Sequence, residues 1–258
     1  MLNRGLHQLR YELVSFVRDP AAIFFTVALP VLMFFFLVSI IGPATVDLRN
    51  GISAATYYLP FVLTLGVVAS AFFNTAVQVT TLRELGVLKR LRSTPASPQG
   101  MVLAWFGTSL ITSLLIVVAL VLLARLAYGI SIGAGKLPLV FLALVLASAS
   151  FTALGFAITR LIPSEAAALP LANAVVLPLY LCSGLLIPTE EAPAWVQGIG
   201  EVFPIRNLAE ILLGTIAPHK GGSVWVHLLV LLAWGIAGLV LATRFFRWTP
   251  AREQASAQ

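Results

Sequence analysis

Six stretches of the chain contain no Asp, Glu, Lys or Arg: Pro20 to Val46, Asn50 to Leu82, Ser93 to Ala124, Leu137 to Thr159, Ala166 to Thr189 and Gly221 to Thr243. Each can hold the run of about 20 apolar residues that crosses a hydrocarbon layer roughly 30 Å thick. Lipid admits only helices and closed barrels, because no water is there to satisfy backbone groups. These runs lack the period-two alternation of barrel strands. The pattern therefore predicts an all-α integral membrane fold, a single transmembrane domain over 1–258 with spans at about 21–41, 57–80, 101–123, 138–158, 166–186 and 225–245.

Two further segments are apolar on one side only. In residues 1–19, Leu2, Leu6, Leu9, Leu13, Phe16 and Val17 share a helical face, with Arg4, His7, Gln8, Glu12 and Arg18 away from it. This predicts an amino-terminal interfacial helix lying on the membrane surface, with Arg10 and Arg18 reaching headgroups. The apolar block that follows exceeds the about 7–15 residues of a signal-peptide core, so it reads as a retained first span. Between the last two spans, residues 188–224 are cut into short pieces by Pro193, Pro204 and Pro218 and by Gly198, Gly200 and Gly214. Ala194 to Ile199 and Ile205 to Ile216 can each form a short helix that sits at the outer interface or dips partway into the membrane, anchored by Trp195. Such a two-helix piece suits a lid over a pathway.

Composition and charge sharpen this picture. The chain is 59% hydrophobic and 10% charged, far from the profile of a soluble domain. Of its 16 basic residues, eleven fall on the side of the spans that holds both termini and the segment Arg83 to Arg92, and five on the other. The excess of Lys and Arg on cytoplasmic loops places that side in the cytoplasm. Topology accounts for the net charge of +6, so no nucleic-acid partner is expected. Cys182 is the single cysteine and can form no intrachain disulfide. A G-x-x-x-x-G-K-[ST] phosphate loop is absent, as are H-E-x-x-H and G-x-S-x-G, and His7, His219 and His227 are scattered. The chain reads as no enzyme, with no catalytic residue and no metal site. No acid or base lies mid-span, which argues against an ion-coupled carrier.

Polar residues inside the spans are candidates for a path. Asn74 and Gln78 are four apart and share a helix face, where they either bond a neighbouring helix or line a wet path. Asn173 lies between Pro170 and Pro178, which predict a bent or broken fifth span whose freed backbone groups Asn173 can partner.

The remaining signal is "RELGVLKRLRSTPASPQG", from Arg83 to Gly100. Its leucines at 82, 85, 88 and 91 step by three and do not form one clean stripe on a 3.6-residue helix. The expected structure ends the second span near Glu84, breaks at Gly86, and resumes as a short helix from Val87 to Arg92 until Thr94-Pro95 stops it. Lys89, Arg90 and Arg92 then flank Leu88 and Leu91. An anchor for anionic headgroups would explain the charges. A protein docking site would explain Glu84, Gly86 and the leucines as well.

Together, the amphipathic amino-terminal helix, six spans, the loop at 83–95 containing "RELGVLKRLRSTPAS", and the proline-rich piece before the last span resemble the membrane permease of the type-2 ABC exporter family. That family includes daunorubicin-resistance-type drug exporters and polysaccharide and teichoic-acid exporters. The resemblance implies that Arg83, Glu84, Gly86, Leu88, Lys89, Arg90, Leu91 and Arg92 form the contact with a separate cytoplasmic ABC ATPase, which would hold ATP and Mg; this chain itself binds no cofactor. It implies a second permease copy or a related permease as a further partner, lipids around both, and a bacterial cytoplasmic membrane. It also points to Phe203-Pro204 as an external-gate motif beside Trp195, with Arg206 a departure from the family pattern. The activity implied is outward transport of a drug-like or lipid-like substrate by alternating access; the rival reading is a channel-like or structural membrane protein without an ATPase.

Overall fold

The computed structural model describes residues 20–41, 53–88, 98–184, 193–217 and 222–245, together with Val14 and Arg18. The predicted interfacial helix over 1–19 and the residues Lys89, Arg90, Leu91 and Arg92 lie outside the described residues. Within them the chain is helical, with no strand. Helix α1 covers residues 20–41 and is widened to π geometry at Phe24–Ala28. Helix α2 is Ala54–Glu84, α3 Pro98–Tyr128, α4 Leu137–Ile158, α5 Glu165–Cys182, α6 Ala194–Val202, α7 Pro204–Ile216 and α8 Val224–Phe245. Five of these, α2, α3, α4, α5 and α8, are long and apolar enough to cross a membrane, and α1 contributes a shorter apolar stretch, Thr26–Ile41.

The arrangement of polar and apolar side chains is that of a protein solvated by lipid. On α3 the buried face carries Thr108, Ser109, Thr112 and Ser113, whereas Leu114, Leu115, Val118, Leu122 and Leu126 are exposed. Water would favour the reverse; hydrocarbon leaves leucines outside and gathers hydroxyls where they can bond across helices. Helix α2 is the central column. In its most apolar window 72% of residues are buried, against 17% for α8 and 22% for α5. Ser53 caps α2 by accepting from Thr56 N at 3.2 Å. Farther along, Ala69–Phe73 adopts π geometry. A π turn shifts the backbone hydrogen-bond register and is a frequent mark of functional sites. Here Ser70 Oγ donates to Val67 O at 3.0 Å, while Ser109 Oγ of α3 donates to Ser70 O at 3.4 Å.

Helices α4 and α8 lie backbone to backbone. Gly238 faces Ala153 and Leu154, and Ser150 Oγ donates to Leu231 O across the interface. On helix α7, Ile205, Leu208, Ala209, Ile211, Leu212 and Leu213 are buried, packed against α2, α4 and α8. An apolar face this broad can be covered by protein when neighbouring spans leave room. Helix α5 is continuous from Glu165 to Cys182 despite Pro170 and Pro178, so it is not a broken helix.

Candidate functional site

Among the described residues, three polar constellations lie along the bundle, one at each end and one midway. The first gathers the carboxyl end of α2 and the turn between α4 and α5. Arg83 is 2% exposed. Its Nη1 donates to Thr159 O at 2.8 Å and its Nη2 to Ile162 O at 2.7 Å. Nε and Nη2 also approach Glu84 Oε1, at 3.2 and 3.1 Å. Those carbonyls lie in the turns after α4, where the helix dipole is negative, so a guanidinium is well matched to the place; Thr159 O also accepts from Ile162 N at 3.3 Å. Hydrogen bonds to a charged group contribute about 1.5–3 kcal/mol each, and a buried acceptor left alone costs on the same scale. A second tie runs from Thr81 Oγ1 to Glu165 Oε1 at 3.0 Å, in the first turn of α5.

Beyond Arg83 the helix stops. Gly86 N is bonded to Arg83 O at 3.0 Å, and Gly86 has φ +69°, a left-handed conformation that favours glycine. Helical geometry resumes at Val87 and Leu88. Leu88 is fully buried in a cluster with Val79, Trp105, Phe156 and Ala242, and Trp105 and Phe156 pack with centroids 5.0 Å apart. Of the eight residues grouped as an ATPase contact from sequence, Arg83 and Leu88 thus face inward, and Glu84 is partly covered. Leu85, outside that group, is 63% exposed.

Midway, Ser70 and Ser113 share a hydrogen bond at 2.7 Å, and Ser148 Oγ donates to Ser113 at 3.4 Å. This hydroxyl knot joins α2, α3 and α4 where α2 takes π geometry. The amides at Asn74 and Gln78 do not mark the knot in the sequence; the spacing of Thr108, Ser109, Thr112 and Ser113 on one helical face is the signal that does. Asn74 and Gln78 are not part of the knot. Gln78 Nε2 donates to Asn74 Oδ1 at 2.9 Å, within one turn of α2 on which Gln78 is exposed and Asn74 half-buried. Asn173 donates to Leu169 O at 3.0 Å in its own helix. It does not take up Ala166 O or Ala174 O, the carbonyls four residues before the prolines.

At the opposite end, α6 and α7 are fastened to α8. Asn207 Nδ2 donates to Glu201 O at 2.9 Å and Phe203 O at 2.8 Å, while its Oδ1 meets His227 Nδ1 at 2.7 Å. Phe203 stacks on Trp234 with centroids 5.0 Å apart, and Trp234 Nε1 donates to Val202 O at 2.7 Å. Pro204 is buried at the first turn of α7, where its missing N–H is harmless. Arg206 Nη1 donates to Gln197 O at 3.2 Å, which ties α7 to α6. Trp195 is 66% exposed. A cavity of about 20 Å³ between Tyr57, Ser183, Glu210 and Leu213 has room for one water.

A multi-pass, all-helical membrane protein with a polar knot at its centre is the class these features define. Residues 7–217 match the family model of the ABC-2 type transporter, and the chain belongs to that family. It is similar to "ABC transporter G family member 20" of Dictyostelium discoideum, at 28% identity over 186 residues. That alignment covers 69% of this chain and 25% of the relative, so the chain spans about a quarter of that protein's length.

Proposed function

We propose that the chain is the permease of an ATP-driven exporter, with a separate ATPase subunit docking at the Arg83 end, which the charge distribution assigns to the cytoplasm. The family match carries this reading. The structure supports it by ending α2 at Glu84 and turning the chain at Gly86, so that the basic stretch through Arg92 begins from a fixed root. ATP and Mg would be held by the ATPase. Two permeases and two ATPases would form the working unit in a bacterial cytoplasmic membrane, with α6 and α7 on the outer side near the exit. Nucleotide-driven closure of the ATPases would bias an equilibrium between inward-open and outward-open arrangements, and drug-like or lipid-like molecules are the proposed cargo.

A pull-down from detergent-solubilised native membranes tests the partnership. The intact protein is expected to bring down a protein with a phosphate-loop motif, and replacement of Glu84 and Lys89 to Arg92 is expected to abolish the recovery. If the intact protein brings down no ATPase, the basic stretch is a lipid anchor and the permease reading fails.

The Asn74–Gln78 pair offers a second test. As part of a path wall, Asn74→Ala and Gln78→Ala would each change the ranking of transported compounds by several-fold. Identical transport profiles would leave both as a surface pair worth about 0.2–0.5 kcal/mol to the helix.

A further inference from the structure

We infer that Arg83 is a positioning residue which latches the root of the basic loop to the α4–α5 turn, so that both move as one body, and that it does not itself meet the ATPase. This rests on the permease reading above. Three observations carry it. The guanidinium is buried and spends its donors on Thr159 O, Ile162 O and Glu84, which leaves it turned away from any docking partner. The carbonyls it holds lie 76 and 79 residues farther along the chain, in the turn that joins two other spans, so the bonds link separate elements and do not merely cap α2. Thr81 and Glu165 add a second link two residues back on α2, and Leu88 pins the far side of the Gly86 break against Trp105 and Phe156.

The mechanical consequence follows from the geometry. A push on the loop beyond Leu88 meets a hinge at Gly86. Leu88, packed against Trp105 and Phe156, limits bending there; without the Arg83 cross-link, the push that passes the hinge would reach α2 alone. With Arg83 clamped to the carbonyls after α4, and Thr81 to the first turn of α5, displacement of the loop root carries α2, α4 and α5 together. Coupling of this kind requires an element with defined arrangements that both sites bias, and the latch makes the loop root and the turn one such element.

The test uses the full chain with the ATPase that copurifies with it, reconstituted into liposomes. Spin labels at L85C and L161C, with Cys182 replaced by serine, report the distance between loop root and turn; both sites are exposed, at 63% and 72%. With Arg83 present, the distance is expected to stay narrow and unchanged between nucleotide-free and ATP-trapped states. With R83Q it is expected to broaden and to shift with nucleotide. R83Q is also expected to keep copurification and ATP hydrolysis while transport falls about tenfold or more, the scale of losing a charge-assisted hydrogen bond from a coupled element. R83K, able to reach one carbonyl but not to fork across two, is expected to restore transport in part. A nucleotide-dependent distance in the Arg83 protein would overturn the latch, and so would loss of ATPase binding in R83Q when the intact chain binds it. Should R83Q not fold, R83K and the distance in the Arg83 protein still decide the matter. Should the intact chain recruit no ATPase, the permease reading falls, and the width of the distance distribution with Arg83 and R83K tests the latch by itself.

Discussion

Valine at Gly155 is expected to prevent the central bundle from closing. A Cβ there would lie 2.8 Å from Phe72 O, 3.1 Å from Thr75 Cβ and 3.4 Å from Phe72 Cα. Two of those neighbours are backbone atoms in the π-helical segment of α2, and a backbone cannot swing aside as a side chain does. Overpacking a close helix crossing typically costs about 1–3 kcal/mol, and valine adds two methyl groups beyond the Cβ. The cost is not confined to one contact, because α2 and α4 pushed apart also strain the Ser70–Ser113–Ser148 knot. Gly155→Val is therefore expected to lower the unfolding temperature in detergent by several degrees and to reduce the monodisperse fraction. Gly214→Ala is the control, since a Cβ at Gly214 meets nothing within 4 Å. Equal unfolding temperatures for the two variants would mean that α2 and α4 do not approach so closely.

The spans were legible because hydrocarbon imposes a requirement that composition alone can meet: a long run without charge. The stop after Glu84 was legible for a similar reason, since a glycine inside a helical run marks a place where the backbone can turn left-handed. The direction of Arg83 was not. In sequence it belongs to a block with Lys89, Arg90 and Arg92, and its charge suggests a shared surface. Whether a guanidinium faces solvent or two carbonyls of another turn depends on the packing of α2 beside α4, a long-range arrangement that no local pattern encodes. The depth of α7 was hidden in the same way. Its spacing of Ile205, Leu208, Ile211 and Leu212 specifies an apolar face, but lipid and neighbouring spans are equally good cover for such a face. Only the closeness of α2, α4 and α8 decides that it is buried. The hydroxyl knot was missed for a subtler reason. Serine and threonine are small enough to vanish inside an apolar run, whereas Asn74 and Gln78 stand out yet satisfy each other within one turn.

Loss of the Asn207 amide is expected to release α6 and α7 from the last span. Asn207 is 2% exposed and offers both of its functions to the fold: its NH2 group serves two carbonyls at the α6–α7 junction, and its carbonyl oxygen serves the His227 ring. Leucine keeps the same branching and heavy-atom count, with bulkier methyl groups in place of the amide, so Asn207→Leu removes the polar contribution while preserving the shape of the side chain. It withdraws the side-chain donor from Glu201 O and Phe203 O and the acceptor from His227 Nδ1. These bonds are part-buried; a fully buried polar group so deprived costs about 1–3 kcal/mol, which is the upper bound for each partner here and is comparable with the whole stability of a local opening. What remains to hold the junction is the Phe203–Trp234 stack, the bond from Trp234 to Val202 O, the Arg206 bond to Gln197 O and the buried apolar face of α7. Amide exchange over residues 194–217 is expected to accelerate by at least about tenfold in Asn207→Leu, while α3 and α4 keep their protection, because an opening confined to one packed unit exchanges by itself. Asn207→Asp keeps an acceptor for His227 and loses both donors, so its exchange is expected to fall between the parent and the leucine variant. If α6 and α7 gate an exit, transport follows the same order; unchanged exchange in Asn207→Leu would show that the aromatic stack and the apolar face of α7 hold the piece without the amide.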